Sequence, residues 1–84
     1  MNFIITVTSE CISAANNRPY NSDKLEGQNT QTAKTAKEAI EKEIKNYRIT
    51  GEIKWYDEVS CMVSVALEHG NQKCYFFDAC EEEA

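Results

Sequence analysis

Ala33-Lys34-Thr35-Ala36-Lys37-Glu38-Ala39-Ile40-Glu41-Lys42-Glu43-Ile44-Lys45-Asn46-Tyr47 is the stretch that decides the fold. Ala33, Ala36, Ile40, Ile44 and Tyr47 step by three, four, four and three residues, which lays one apolar stripe along a helix. Thr32 or Thr35 can cap its start, and Thr35 with Glu38 three residues on matches a capping box. The opposite charges of Lys34–Glu38, Lys37–Glu41, Glu38–Lys42 and Glu41–Lys45 sit four residues apart. Such pairs put the lysines on a solvated helix face, so they do not form a nucleic-acid patch.

On both sides of the helix the period falls to two. Before it, Phe3, Ile5 and Val7 share one face of a strand, and Ile4, Thr6 and Thr8 the other. After it, Ile49, Ile53 and Trp55 alternate with Thr50, Glu52, Lys54 and Tyr56. Asp57-Glu58 then makes a tight acidic turn. Cys61, Val63, Val65 and Leu67 alternate with Met62, Ser64 and Ala66 in the next strand. His69-Gly70-Asn71 supplies a second hairpin turn, in which Gly or Asn takes positive φ. Lys73 to Ala79 gives the last strand, with Tyr75 and Phe77 opposite Cys74, Phe76 and Asp78.

Residues 9–31 hold no period. Asn16, Asn17, Pro19, Asn21, Ser22, Asp23 and Gly27 punctuate them, and the stretch reads as a long loop, mobile or binding. Within it, Cys11-Ile12 or Lys24-Leu25 can prolong the first strand or form a short extra one. The chain therefore reads as a single α+β domain over residues 1–84. An antiparallel sheet of about four strands, ordered β–long loop–α–β–β–β, carries one amphipathic helix on one face. Residues 81–84 read as a frayed acidic tail. One helix cannot shield both faces of such a sheet. The long loop, a second copy of the chain in a homodimer, or a partner protein can cover the other.

With 84 residues there is chain for one core only, and Leu, Ile, Val and Phe together number just 16. No apolar run approaches the roughly 18 residues of a membrane span. Met1-Asn2-Phe3-Ile4-Ile5-Thr6-Val7 has no basic segment, long apolar core or small-residue cleavage site, so no signal peptide is read there. The expected compartment is the cytoplasm, where Cys11, Cys61, Cys74 and Cys80 stay reduced. None of the four forms the closely spaced pair that a zinc site needs, and no metal or other cofactor is expected. His69 is the sole imidazole and falls in a turn, so no catalytic pairing is built around it and no enzyme is expected.

The formal charge of −5 is unevenly divided. Residues 1–47 balance six acids with six bases; residues 48–84 carry eight acids against three bases. An acidic meander is a poor grip on nucleic acid, but it steers a protein onto a basic surface. Asp57, Glu58, Glu68 and Asp78 supply that charge, and Trp55 or Tyr56 an aromatic anchor for a protein interface. The plainer reading is that acidic turns and tails keep a small protein soluble and blunt its sheet edges. A separate reading places a nucleotide-like ligand at an oligomer interface, held by Arg18 and stacked on Tyr20. A third makes the chain an accessory protein-interaction module.

From Thr35-Ala36-Lys37-Glu38-Ala39-Ile40 through Thr50-Gly51-Glu52-Ile53-Lys54-Trp55-Tyr56, and on to Ala79, the order of elements resembles small phage-encoded anti-CRISPR and other anti-defence proteins. The likeness is one of architecture, and no site residue carries over from it. It implies stoichiometric inhibition of a bacterial defence effector, in some members by mimicking the charge of DNA. The implied partner is a larger bacterial protein or complex with a basic groove. Other anti-defence proteins of this size sequester a cyclic-nucleotide signal.

Overall fold

The computed structural model describes residues 1–83. The elements run β1 (Asn2–Ile12), β2 (Pro19–Thr32), α1 (Ala36–Tyr47), β3 (Glu52–Trp55), β4 (Ser60–Ala66), a 3-10 turn (Glu68–Gly70) and β5 (Gln72–Glu81). All strands join one antiparallel sheet in the order β2-β1-β5-β4-β3. The α+β class is as the sequence reads, with one helix among the described residues. The strand count is five, because most of the expected loop over residues 9–31 is strand.

Of the turn formers in that stretch, Pro19, Asn21, Ser22, Asp23 and Gly27 fall inside β2. Asn2–Val7 pairs regularly with Gly27–Thr32, then the register slips twice. Between Val7 and Thr8 the partner jumps from Gly27 to Leu25, leaving Glu26 as the extra residue of a β-bulge. Between Ser9 and Cys11 it jumps from Lys24 to Tyr20, and within that slip Asn21 and Asp23 take φ of 51° and 57°. Asn and Asp tolerate this left-handed region better than other residues with a side chain. The remaining turn, residues 13–18, is closed by Ser13 N–H to the Arg18 carbonyl at 3.0 Å and Asn17 N–H to the Ser13 carbonyl at 2.8 Å.

The first two residues of the tail are held by the sheet. Glu81 ends β5 opposite Phe3, and the Glu82 N–H donates to the Asn2 carbonyl at 2.8 Å. Only residue 84 of the expected frayed segment lies outside the described residues.

Thr35 caps α1, its hydroxyl accepting from the Glu38 N–H at 3.1 Å. Ala33 is buried as the stripe requires but precedes the helix. Of the four expected charge pairs along the helix, Glu38–Lys42 closes to 3.9 Å, and Lys42 also donates to the Thr32 carbonyl. Arg48 ends the helix in the left-handed conformation, φ 56°. In the β4–β5 turn positive φ falls on His69 and Gly70, and not on Asn71.

The core lies between α1 and one face of the sheet. Phe3, Ile5 and Val7 from β1, Cys61 and Val63 from β4, and Phe77 from β5 meet Ala39, Ile40 and Ile44. Tyr47 packs edge-on to Phe77, ring centroids 5.9 Å apart. At about 1.5 Å per residue the twelve-residue helix is about 18 Å long, against a molecular long axis of 46 Å. One end of the helix-side face is therefore left without it.

One side chain in this core is a carboxylate. Glu43 is fully buried, its Oε1 accepting from Gln31 Nε2 at 3.1 Å and Asn46 Nδ2 at 3.0 Å. Its Oε2 has no hydrogen-bond partner among the described residues. A buried carboxylate oxygen with no donor costs more than the apolar atom that would replace it. Gln31 is half-buried and Asn46 exposed, so both amides can turn to water. Glu43→Met is expected to stabilise the fold by about 1–2 kcal/mol, raising Tm by about 5–10 °C in thermal unfolding. A lower Tm would mean the two amide hydrogen bonds outweigh the cost of the unpartnered Oε2.

Candidate protein-binding surface

Consecutive hairpin turns of a meander fall at opposite ends of its sheet, and this divides the acidic residues. The β3–β4 turn is built on Asp57, whose carboxylate accepts from the Val59 N–H at 2.9 Å and the Ser60 hydroxyl at 2.8 Å. The Val59 backbone bond, then the Ser60 hydroxyl, hold the Asp57 carboxyl below its ordinary value. Tyr56 N–H closes the turn onto the Ser60 carbonyl at 3.1 Å. Ser60 in turn stands opposite Asp78 on β5, and the Ala79 N–H donates to the Val59 carbonyl at 2.9 Å. The register thus brings Asp57, Glu58 and Asp78 to the same end as Glu81, Glu82 and Glu83, all six exposed.

Glu68 is at the other end. It opens the 3-10 turn between β4 and β5, which is tied to the 13–18 turn by the Ala14 N–H donating to Asn71 Oδ1 at 2.9 Å. Arg18 and Tyr20 belong to that end too. Both are exposed, with the Arg18 N–H donating to Asn16 Oδ1 and Tyr20 opposite Cys11.

The two aromatic candidates part company as the alternation requires. Trp55 turns to the helix side, packs against the core, and carries the Lys37 ammonium 5.2 Å from its ring centroid. Tyr56 is 53% exposed, with Lys54 Nζ 5.8 Å from its ring centroid. Between the helix and this turn, Thr35, Ala36, Lys37, Glu58 and Val59 line an open cleft of about 330 Å³. The helix N-terminus there favours a carboxylate such as Glu58.

Past the C-terminal end of α1, the helix-side face is filled by a polar cluster that no local pattern announces. The bulge aims Glu26 inward, where its Oε1 accepts from the Ser9 hydroxyl at 2.8 Å and meets Lys73 Nζ at 3.0 Å and Lys24 Nζ at 3.8 Å. Lys73 also stands 4.8 Å from the Tyr75 ring centroid. Gly27 lies beside it, where a Cβ would run into the Tyr47 hydroxyl and push that side chain aside. Ser9, Glu26 and Lys73 are 17 to 64 positions apart in the chain, so only the strand register could have revealed them.

Among the described residues, no three His, Cys, Asp or Glu side chains converge to hold a metal, and no helix is long and apolar enough to cross a membrane. The four cysteines are free thiols. Burial chiefly, with help from Asp78 and Glu41, pushes the Cys61 thiol up to about 11; burial also raises Cys74. No protein-family model, curated protein or solved structure matches the chain.

The hydrogen bonds from Ser9 and then Lys73 hold the Glu26 carboxyl below its ordinary value of 4.5 despite partial burial. A depressed carboxylate stabilises the fold fully above 4.5, and the contribution is lost as pH falls through the folded value. Glu26→Gln is expected to cost about 1 kcal/mol at neutral pH, with the gap to wild type closing below pH 4.5 in urea unfolding. A gap that persists in acid would contradict the ion pair. In the native protein an aromatic disulfide reagent should titrate exposed Cys80 first, and Cys61 only as fast as the fold opens. Prompt reaction of Cys61 would contradict its burial.

Proposed function

We propose that this chain is a small acidic protein-binding inhibitor with no catalytic step of its own. It docks the end that bears Tyr56, Asp57, Glu58, Asp78 and Glu81–Glu83 onto a basic surface of a larger bacterial protein or complex. The observation that carries this reading is the convergence of six exposed carboxylates on one end of the sheet, flanked by an exposed aromatic ring. Like charges held together in one exposed cluster oppose stability, and a cationic partner relieves that repulsion. Tyr56 supplies the kind of anchor that dominates protein interfaces. The same negative field argues against direct contact with nucleic acid and favours competition with it.

The resemblance to phage anti-defence proteins adds the class of partner: a CRISPR-type effector in the bacterial cytoplasm, its nucleic-acid groove occluded. Glu68, at the far end, has no part in this contact.

The test captures partners from bacterial lysates carrying active defence systems, with nuclease present, at low and high salt. Asp57 holds the turn through its acceptor oxygen, so its charge is removed as Asp57→Asn and the sign is reversed at Glu58→Lys and Glu82→Lys. A stoichiometric partner is expected to be lost at least tenfold in the triple variant and at high salt, and to be displaced by added duplex DNA or RNA. Capture that is indifferent to the substitutions and to salt would overturn the reading.

A further inference from the structure

The sheet face turned away from α1 has its own order, set by the register. Thr8 stands opposite both Leu25 and Phe76, Phe76 opposite Met62, and Met62 opposite Lys54. These residues make one straight row across all five strands, and Lys54 hands it on to the Tyr56 ring. Leu25 is 64% exposed, and Phe76 and Met62 are only half-buried. At about 4.8 Å per strand the row is about 19 Å long, the length of about thirteen helical residues.

Acids flank the row on both sides. Two residues along the strands, Glu10 shares the next row with Cys74, Ser64 and Glu52. Two residues the other way, Asp78 lies between Thr6 and Ser60. Either flank is about 7 Å from the band. Lys54 is the one base on this face among the described residues, and none of the three acids takes part in an ion pair there.

We propose that this face is the docking site for a cationic amphipathic segment of a partner protein, about a dozen residues long and laid across the strands. Its apolar side rests on Leu25, Phe76, Met62 and Tyr56, and its Lys or Arg side chains reach Glu10, Glu52 and Asp78. A second copy of the chain does not fit, since face-to-face packing would set the acids of one copy against those of the other with Lys54 alone to offset them. Nucleic acid is repelled by the same charges. The inference deepens the function proposed above by naming where the partner's apolar contact falls, and it rests on that reading for the sign of the partner's charge.

The test is an amide NMR titration of the labelled protein at physiological salt with a fourteen-residue Leu/Lys amphipathic peptide. The same peptide with Glu in place of Lys is the control. Saturable shifts are expected at Thr8, Leu25, Met62 and Phe76 with the Lys peptide alone. Leu25→Ser, an exposed edge position, and Glu10→Gln should each weaken binding at least fivefold, while Glu41→Lys, exposed on the helix, leaves these shifts in place. Shifts confined to residues 56–59 and 79–83 would overturn the face and leave the acidic end standing. Equal response to both peptides, or none to either, would overturn it as well. So would concentration-dependent shifts of the same residues in the protein alone, which would assign the face to a second copy.

Discussion

Ten consecutive residues of β1, Phe3 to Ile12, pair antiparallel with Gln72 to Glu81 of β5, and every other element is hung on that ladder. It joins the first strand to the last and sets both at the middle of the sheet. β2 then folds back along the outer side of β1, while β4 and β3 extend the other side as a meander. The two halves of the chain differ in charge, and the ladder is what brings them side by side. Pairing residues this far apart closes a long loop before it gives any return, so folding is expected to depend on the late arrival of β5.

The ladder also explains why burial is so one-sided. Its odd-numbered β1 residues, Phe3, Ile5 and Val7, enter the core, while Ile4, Thr6 and Thr8 stay half-buried on the face without a helix. A helix of three turns and a fraction can roof only part of a sheet this long. Where α1 stops, Ser9, Glu26 and Lys73 satisfy one another in place of apolar packing. The core is small and holds a carboxylate, so stability is expected to sit toward the low end for a domain. Acids without an ion pair are left on the open face, Glu10, Glu52 and Asp78, and at the β3–β4 end, Asp57 and Glu58.

Elements governed by local chemistry were legible in the sequence. The helix announces itself by its stripe and by Thr35, and β1, β4 and β5 by alternation. β2 was hidden because Asn21, Asp23 and Gly27 are turn formers by residue type, yet Asn21 and Asp23 fall in a register slip within the strand and Gly27 pairs with Val7 beside the Glu26 bulge. Nothing in the sequence says which, because a bulge is defined by the strand beside it. Glu43 was hidden differently. It lies on the apolar stripe, between Ile40 and Tyr47, but its charge reads as solvated. The gathering of Asp57, Glu58 and Asp78 follows from hairpin geometry, and so does the exclusion of Glu68. A meander sends alternate turns to opposite ends, a constraint the charge count alone does not carry.

Residue-resolved amide hydrogen exchange tests the central ladder most directly. The account predicts that amides of Ile5–Ser9 in β1 and Tyr75–Ala79 in β5 exchange only through global unfolding, the slowest in the chain. Glu52–Trp55, a short edge strand, should open far earlier, and Gly27–Thr32 should show alternating protection from its single neighbour. Exchange of β1 as fast as that of β3, or free exchange throughout residues 19–32, would contradict the pairing on which the rest of the structure stands.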